Sequence, residues 1–350
     1  MTGMAKCVAL TVANLYNLSI EKNKMIKVFV TGATGYIGSH VCKKLKEDGY
    51  EVIGLDRVRR EHTLQYMDQF IEADYHSQTC IDALVQHAPQ AVIHLAGTSL
   101  VGPSVSDPGE YYTNNVAKTA ALLNAIRFLE HMPVVVFSSS AAVYGAPEKD
   151  LIHENDPYSP LSPYGQSKAM IEIMLTDFFK AYGMCSASLR YFNACGADES
   201  GTLGQAPGAT HIVARLLESA RDKTKFTLYG NDYNTADGTC VRDYVHVSDL
   251  ASAHSLAVSY LMSDMDPCFA LNLGTGQGYS NQEVIDTVIQ TVGSVDISVG
   301  PRRAGDPDQL VAGNVLAKAK LGWHPENSNL SNIVTSAWKW YNNPSNQVDN

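Results

Sequence analysis

A glycine-rich turn between a strand-like and a helix-like segment constrains the fold of this chain more than any other feature. The apolar run Lys27–Thr31 leads directly into a turn with glycines at every third position, Gly32, Gly35 and Gly38, and a helical pattern follows. Glycine allows a tight turn and a close approach of the backbone to a ligand, and the start of a helix offers free N–H groups to an anion. We therefore expect a strand-turn-helix unit that holds a diphosphate.

The next strand-like run strengthens this interpretation, because it ends in an acidic residue. The run Glu51–Asp56 places the Asp56 carboxylate 18 positions after Gly38. In dinucleotide-binding folds, an acid at about that distance binds the hydroxyls of the adenosine ribose. Strand, glycines, helix, strand and acid together predict a dinucleotide-binding β-α-β unit.

Strand-like and helix-like segments go on alternating as far as residue 191. Such alternation predicts a parallel sheet with helices on both faces. We expect an α/β fold, a doubly wound parallel Rossmann sheet with a smaller C-terminal α/β substrate domain. The predicted strands are Lys27–Thr31, Glu51–Asp56, Ala91–Ala96, Val134–Ser138 and Ser186–Tyr191, and the predicted helices are Ile37–Asp48, Ile81–His87, Tyr112–Glu130 and Tyr164–Tyr182.

A second group of residues predicts a general base. Tyr164 and Lys168 are four positions apart in a helical pattern, so their side chains lie one turn apart on the same face. A lysine held there favours the ionised form of the tyrosine, whose pKa is otherwise near 10, and the phenolate can then act as a base. The strand-like run before this helix ends in three serines, of which Ser140 is the last. A hydroxyl at a strand end can bond the same substrate oxygen.

Together these motifs resemble the extended short-chain dehydrogenase/reductase superfamily. Three further stretches look like signature blocks of its UDP-glucose 4-epimerase family, and the similarity runs from about Met25 to about Trp340. These stretches are Leu189–Asn193, Tyr229–Val247 and Pro301–Pro307. The resemblance implies an NAD-dependent 4-epimerase that interconverts UDP-glucose and UDP-galactose through a transient 4-keto sugar, with NAD bound throughout.

The resemblance also implies roles for individual residues. Tyr164 is the base, Lys168 holds the phenolate and the nicotinamide ribose, and Ser140 hydrogen-bonds the sugar 4′-oxygen. The residues expected to contact NAD are Gly32, Gly35, Tyr36, Ile37, Gly38, Asp56, Asp74, Tyr75, Leu95, Ala96, Asn114, Ser138, Tyr164, Lys168 and Tyr191. The residues expected to contact the UDP-sugar are Ser140, Tyr164, Asn193, His211, Tyr229, Arg242, Arg303 and Asp306.

The same resemblance, together with a loosening of the pattern after Asn193, suggests a domain division. We expect an N-terminal extension at 1–24, an NAD-binding Rossmann domain at 25–192 to which part of 240–280 returns, a mainly substrate-binding domain at 193–342, and a tail at 343–350. The helices predicted at 112–130 and 164–182 carry apolar residues on more than one face. In relatives such helices pair into a four-helix bundle, so a homodimer is expected, and burial within one subunit is the alternative.

Composition argues against several other classes of function. The 350 residues carry a formal net charge of -10, which argues against nonspecific nucleic-acid binding and against docking on an anionic membrane. The seven cysteines are dispersed without a C-x-x-C pair, which is typical of reduced thiols in the cytoplasm. No metal site is expected, because no cysteine and histidine spacing of that kind is present. The apolar run at 7–13 is too short to span a membrane.

Three alternative functions need weighing. A sugar-nucleotide 4,6-dehydratase shares the first oxidation but needs an acidic pair after the strand-end hydroxyl, where this chain has Ala141 and Ala142. A non-catalytic dinucleotide-binding sensor of this fold typically lacks the Tyr/Lys pair, which is present here. A 4-epimerase of UDP-N-acetylhexosamines or UDP-pentoses shares most of the motifs and stays open.

Two departures from the family pattern bear on specificity. Leu310 lies where relatives carry a size gate beside the sugar, so we expect partial tolerance of UDP-N-acetylhexosamines. Arg57 follows Asp56, where many relatives have asparagine. An arginine there tolerates a 2′-phosphate but Asp56 repels it, so NAD remains the expected cofactor.

Overall fold

The computed structural model describes residues 25–147, 149–263, 266–303 and 306–343. The strands are β1 (Lys27–Thr31), β2 (Glu51–Asp56), β3 (Gln69–Glu72), β4 (Ala91–His94), β5 (Val134–Ser140), β6 (Ser186–Tyr191), β7 (Asn193–Cys195), β8 (Phe226–Tyr229), β9 (Val241–Arg242), β10 (Tyr244–His246), β11 (Cys268–Leu273), β12 (Tyr279–Ser280), β13 (Ile297–Gly300) and β14 (Gln309–Leu310).

The helices connect these strands. They are α1 (Tyr36–Glu47), α2 (Glu61–Leu64), α3 (Gln78–His87), α4 (Val101–Ser106), α5 (Pro108–Tyr111), α6 (Lys118–Ile126), α7 (Pro163–Tyr182), α8 (Ile212–Asp222), α9 (Val247–Met262), α10 (Asn281–Val292), α11 (Val315–Leu321) and α12 (Leu330–Tyr341). A π-helix covers Tyr112–Ala117 and a 3₁₀ turn covers Ala141–Val143.

Seven strands form one sheet in the order β11-β6-β5-β4-β1-β2-β3. All neighbours in it are parallel, so the carboxyl ends of the strands share one edge. The strand order reverses between β1 and β4, and in open α/β sheets ligands bind beyond the carboxyl ends at that point. The predicted doubly wound parallel sheet is confirmed.

Apolar side chains alternate between the two faces of this sheet, as a strand requires. In β1, Val28 and Val30 belong to a core that also contains residues of α1 and α9. Phe29, between them, belongs to a core on the other face, with residues of α3, α6 and α7. Burying both faces explains why the strands of this sheet are nearly continuous apolar runs.

A third apolar core lies outside the main sheet. It includes Leu216 of α8, Val284 of α10 and Ile333 of α12, and it also contains Phe226 of β8. Three small sheets, β10-β7, β12-β9-β14 and β13-β8, accompany it. The strand β11, from the segment 240–280, pairs with β6 in the main sheet. The domain boundaries given above stay a prediction.

The structure corrects several predicted elements. The single helix expected at 112–130 is a π-helix followed by α6, which ends at Ile126. The wider π turn coincides with the buried side chain of Asn115, which reaches the loop after β4. The strand expected at 91–96 ends at His94, and β5 continues to Ser140.

Some predictions fall on other parts of the chain. The N-terminal extension with its apolar run, and the tail from residue 344, lie outside the described residues. Among the helices that are described, none has the length and apolar character needed to cross a membrane.

Candidate active site

The glycine turn after β1 is held by contacts that only glycine permits. Gly32 has a φ of +73°, and a Cβ on it would lie 2.8 Å from the backbone nitrogen of Ala96. A Cβ on Gly38 would lie 2.0 Å from the carbonyl oxygen of Gly32. The start of α1 therefore packs directly on the turn, and the predicted cofactor residues Leu95 and Ala96 lie beside it.

The acid at the end of β2 is tied to the same turn. One Asp56 carboxylate oxygen accepts the Thr34 N–H at 3.1 Å, and the other accepts the Val58 N–H at 3.3 Å. A carboxylate has about four lone-pair positions, so both oxygens keep capacity for ribose hydroxyls. This geometry fits the role predicted for Asp56.

The N-terminus of α1 opens into a cavity. Gly35 is its N-cap without a side-chain capping bond, and no acidic residue lies in the first turn. A cavity of about 250 Å³ borders it, and its lining includes Tyr36, Arg60 and Ala209. An anion at a helix N-terminus is stabilised by free N–H groups and by the helix dipole. The cavity is therefore suited to a negatively charged group.

Arg60 is a residue that motif analysis did not select. One of its guanidinium nitrogens donates to the Thr34 carbonyl and hydroxyl oxygens, both at 3.3 Å. Its neighbour Arg59 instead pairs with Glu61 at 2.6 Å. Two adjacent arginines thus have different surroundings, and only Arg60 lines the cavity. The basic residues that follow Asp56 were the sequence feature that could have indicated Arg60.

At the other end of the predicted cofactor site, Asp74 follows β3. Its carboxylate pairs with Lys118 at 2.7 Å and with His76 at 2.8 Å. These hydrogen bonds outweigh the opposing effect of partial burial and lower the pKa of Asp74 to about 2. Tyr75 is buried, and its hydroxyl donates to the Asn114 carbonyl. Asp74 is therefore an ionised acceptor near neutral pH.

The π-helix carries two adjacent asparagines with different surroundings, and Asn114, the predicted cofactor residue, stays a prediction. The side chain of Asn114 makes one bond, to the Thr98 hydroxyl at 3.3 Å. Asn115 is buried, and it accepts the Thr98 N–H at 2.8 Å and donates to the Thr98 carbonyl at 2.9 Å. It also donates to the hydroxyl of Ser167, next to Lys168, at 3.0 Å. Asn115 thus joins the loop after β4 to α7.

Tyr164 and Ser140 meet at the carboxyl edge of the sheet. Ser140 ends β5, and its side chain lies next to that of Tyr164. The ring of Tyr111 lies edge-on, 6.5 Å from that of Tyr164. Burial raises the pKa of Tyr164, and the neighbouring Ser140 side chain acts against that rise. The expectation that Lys168 lowers this pKa is not supported, because burial, and not the lysine, is the largest influence on Tyr164.

Lys168 is buried one turn after Tyr164. Its ammonium group donates to the Ser138 carbonyl at 2.7 Å and lies 4.8 Å from the centre of the Phe137 ring. Burial lowers the pKa of Lys168 to about 8, although the Glu172 carboxylate one turn further on acts to raise it. The Lys168 ammonium group is thus directed at the end of β5, which carries Ser140.

Tyr191, at the end of β6, completes this edge. Its hydroxyl hydrogen-bonds the buried Nε2 of His254, and the Ser138 side chain lies nearby. The other nitrogen of His254 bonds the Leu250 carbonyl at 2.7 Å, which leaves Nε2 as the acceptor from Tyr191. Two of the predicted cofactor residues, Ser138 and Tyr191, therefore lie near each other.

Three of the predicted substrate residues, Asn193, Tyr229 and Arg242, lie on strands of the smaller sheets. Arg242 pairs with Asp306 at 2.5 Å, and the Arg303 guanidinium lies 4.4 Å from the centre of the Tyr229 ring. The Asn193 amide donates to the Asp243 carbonyl at 3.1 Å. The Arg303 guanidinium thus lies beside an aromatic ring, and that of Arg242 beside a carboxylate. His211 is exposed at the N-cap of α8, two positions after the cavity-lining Ala209.

No group of acidic, cysteine or histidine side chains within the described ranges is arranged to hold a metal ion.

Comparisons with known proteins place this geometry in context. Residues 28–267 match the NAD dependent epimerase/dehydratase family. The chain is 40% identical over 323 residues to the UDP-glucose 4-epimerase of Lactobacillus helveticus, which covers 90% of this chain and 97% of that protein. The similarity inferred from the motifs is thereby confirmed.

Two solved structures are also similar. One is the UDP-glucose 4-epimerase of Brucella ovis in complex with NAD, with a TM-score of 0.86, 41% identity, and coverage of 90% of this chain and 98% of that one. The other is the UDP-glucose-4-epimerase of Stenotrophomonas maltophila with bound NAD and formylated UDP-arabinopyranose. Its TM-score is 0.84 at 35% identity, over 90% of this chain and 97% of that one.

Proposed function

This chain belongs to the NAD dependent epimerase/dehydratase family, and on that premise we propose that it interconverts UDP-glucose and UDP-galactose by inverting C4 of the sugar. The observation that carries the proposal is the meeting of Tyr164, Ser140 and Lys168 at one sheet edge. It is an NAD-dependent 4-epimerase that works through a transient 4-keto sugar.

The residues present fit NAD. Gly35 caps α1 without a side chain and leaves its N–H groups open to a diphosphate. Asp56 ends β2 with acceptor capacity for the adenosine ribose, and ionised Asp74 supplies an acceptor for the adenine amine. Lys168 is placed to hold the nicotinamide ribose. When bound, NAD supplies the hydride acceptor and donor, and its oxidised ring brings a positive charge.

The protein's own groups move the proton. Tyr164 as phenolate accepts the proton of the sugar 4′-hydroxyl, and Ser140 hydrogen-bonds the same oxygen. Because the surroundings raise the pKa of Tyr164, positive charge beside it is needed to keep the phenolate. The ammonium of Lys168, 5.8 Å from the centre of the Tyr164 ring, supplies part of that charge. After the 4-keto sugar has rotated and presents its other face, Tyr164 returns the proton to the 4′-oxygen.

The substrate residues hold the UDP portion while the sugar turns. Arg242 and Arg303 offer guanidinium groups to the diphosphate, which suits bidentate charged hydrogen bonds. Asn193, His211, Tyr229 and Asp306 are assigned to the same portion of the substrate by their motif positions. The Arg303–Tyr229 contact supports a binding surface in which a base stacks near a cation.

Two alternatives are weaker on chemical grounds. A dehydratase needs acidic residues just after Ser140, and the 3₁₀ turn there begins with Ala141 and Ala142, which cannot transfer a proton. A non-catalytic sensor has no use for a hydroxyl pair next to a buried lysine, and here Ser140, Tyr164 and Lys168 are assembled.

The function is tested on purified protein without added cofactor. UDP-galactose is supplied and the anomeric signals of the sugar are followed by NMR. Appearance of UDP-glucose supports the epimerase and a retained NAD. No conversion, even with added NAD, contradicts the proposal and favours another UDP-sugar or the sensor.

Arg60→Ala is expected to weaken NAD retention roughly tenfold, because a charged hydrogen bond to a phosphate is lost. Arg60 lines the cavity at the N-terminus of α1. The measurement is the molar ratio of NAD to protein after desalting, followed by titration of the stripped protein with NAD. Arg59→Ala is the matched control, since Arg59 pairs with Glu61. Equal losses in both variants would contradict a specific role for Arg60.

UDP-GalNAc is expected to be epimerised more slowly than UDP-galactose but measurably. Leu310 lies on β14 directly opposite Arg242 of β9, at the proposed sugar end of the diphosphate. Leu310→Tyr fills the space that an N-acetyl group needs, so it is expected to reduce UDP-GalNAc turnover about tenfold more than UDP-galactose turnover. Absence of UDP-GalNAc turnover in the unaltered protein, under conditions that fully convert UDP-galactose, would refute this expectation.

We also propose a homodimer formed through a four-helix bundle. Its support is a set of exposed apolar side chains on α7 and just after α6. Phe128 is 70% exposed, Ile173 is 50% exposed and Tyr182 is 47% exposed. Single exposed apolar residues are ordinary, but a group on neighbouring helices favours an interface.

A cytoplasmic location is proposed from the dispersed cysteines of the sequence.

A further inference from the structure

A buried ion pair lies directly behind the catalytic residues. Glu172, one turn after Lys168 on α7, is 4% exposed, and Arg190 of β6 is 3% exposed. Arg190 Nε donates to both carboxylate oxygens of Glu172 at 3.1 Å, and Nη2 donates to Oε2 at 2.7 Å. A fork of this kind fixes the carboxylate in orientation as well as charge.

The pair organises the strand end that carries Ser140. Ser139, next to Ser140, donates its hydroxyl to Glu172 Oε1 and lies opposite Arg190 in the register of β5 and β6. The Tyr158 hydroxyl donates to Glu172 at 2.9 Å and accepts from Arg190 at 3.0 Å.

Arg190 also reaches the segment between β5 and α7. Its Nη1 donates to the Tyr144 hydroxyl and, at 2.9 Å, to the Glu154 carbonyl. The pair therefore joins α7, two strands and the loop that leads into Tyr164.

The charge of Glu172 matters because its nearest catalytic neighbour is a cation. Lys168 donates to the Ser138 carbonyl instead of forming an ion pair with Glu172, which is occupied by Arg190, Ser139 and Tyr158. A carboxylate without Arg190 would attract the ammonium group, since opposite charges one helical turn apart interact strongly in a buried site.

We infer that Glu172 and Arg190 form a positioning pair: Arg190 occupies the Glu172 carboxylate, so that Lys168 stays directed at Tyr164 and the cofactor ribose. This inference rests on the proposed function. Both residues are buried behind the strand end and act through Lys168, Ser139 and the Tyr144–Tyr158 segment.

The pair also balances charge around the phenolate. The titratable groups that face Lys168 and Tyr164 are Glu172 on the same helix, His94 of β4, Tyr191 of β6 and Tyr111 of α5. Burial lowers the pKa of His94 to about 3 and raises that of Tyr191, so both are neutral in the working range. Tyr111 is likewise neutral, because burial raises its pKa. Within the part of the chain that the structure describes, Glu172 and Arg190 are therefore the residues that add fixed charge behind Lys168.

Opposite substitutions in the pair are expected to shift the pH profile of kcat in opposite directions. Arg190→Met leaves the Glu172 carboxylate without its partner. The uncompensated negative charge raises the pKa of Tyr164 and that of Lys168, so the acidic and the alkaline limb of the pH profile both move to higher pH by about one unit. Glu172→Gln leaves a free guanidinium, and both limbs move to lower pH. The double variant restores the position of the profile. Arg190→Met is also expected to lower kcat about 100-fold, because Lys168 is displaced.

The experiment measures these profiles on the holoenzyme with UDP-galactose. A second readout is the phenolate absorbance of each variant against the same variant carrying Tyr164→Phe, which needs no sugar nucleotide. It therefore separates failure of this inference from failure of the proposed function. Arg190→Lys, which keeps the charge, is expected to keep the profile of the unaltered protein.

Asp198→Asn is the matched control for loss of a buried ion pair. Asp198 pairs with Lys43 at 2.9 Å, away from the catalytic residues, and its loss is expected to lower Tm without moving the profile. If Arg190→Met does not fold, the inference is tested by the pH profiles and phenolate titrations of Glu172→Gln and of the double variant. Lower activity with an unmoved phenolate titration, or shifts in the same direction for both single variants, would overturn the inference.

Discussion

Tyr164→Phe is expected to lower kcat about 10³- to 10⁴-fold while NAD stays bound at the level of the unaltered protein. The substitution removes one oxygen, the proposed proton acceptor, and general base catalysis contributes about that factor. It leaves Lys168 and its bond to the Ser138 carbonyl unchanged. Turnover of UDP-galactose is measured by NMR, and the ratio of NAD to protein is measured after desalting.

The matched control is Tyr182→Phe, the same substitution on the same helix. Tyr182 is exposed at the end of α7, where its hydroxyl is far along the helix from the site. Its kcat is expected to be unchanged. Retention of a tenth or more of the turnover in Tyr164→Phe would show that another group accepts the proton.

Gly38→Ala is expected to reduce the affinity for NAD at least about 100-fold, because a displaced turn loses the charged hydrogen bonds to the diphosphate. The new Cβ would lie 2.0 Å from the carbonyl oxygen of Gly32 and 2.9 Å from its carbonyl carbon. Both atoms are backbone, so the turn must move to relieve the contact. NAD content after desalting and a titration of the stripped protein give the effect.

Gly102→Ala serves as the control for a glycine substitution without a contact, since no atom lies within 4 Å of a Cβ at that position. Circular dichroism of both variants separates loss of the turn from loss of the fold. Full NAD content in a folded Gly38→Ala protein would contradict the role given to this turn.

Much of the sheet could be predicted from the sequence because its strands are buried on both faces. The bounds of β1, β2 and β6 agree with the predicted runs at both ends. The strand β3 was not predicted, because Gln69–Glu72 at the sheet edge is only partly buried and contains just two apolar residues. Edge strands carry a weaker apolar signal, since they pack on fewer neighbours.

The closeness of Tyr164, Lys168 and Ser140 could also be predicted, because each residue sits at a regular position of a strand or helix. The bonds of Asn115 could not be predicted, since the sequence shows two adjacent asparagines and the π turn has no periodic signal. The sequence also does not show which charged residues form ion pairs with each other. Asp74 with Lys118, and Arg242 with Asp306, are far apart in sequence and meet only in the fold.

Glu172 is the residue that the sequence could have indicated. It follows Lys168 by four positions, as Lys168 follows Tyr164, so all three share one face of α7. Its partner Arg190 lies on β6, and only the packing of α7 against that strand brings the two side chains together.

The central claim is that one hydride leaves C4 of the sugar and returns to it within the protein. UDP-galactose with deuterium at C4 tests this directly in ordinary water, without added cofactor. The account predicts UDP-glucose that keeps the deuterium at C4. Loss of the label to solvent would contradict the account, because it would mean that C4 exchanges a proton and not a retained hydride.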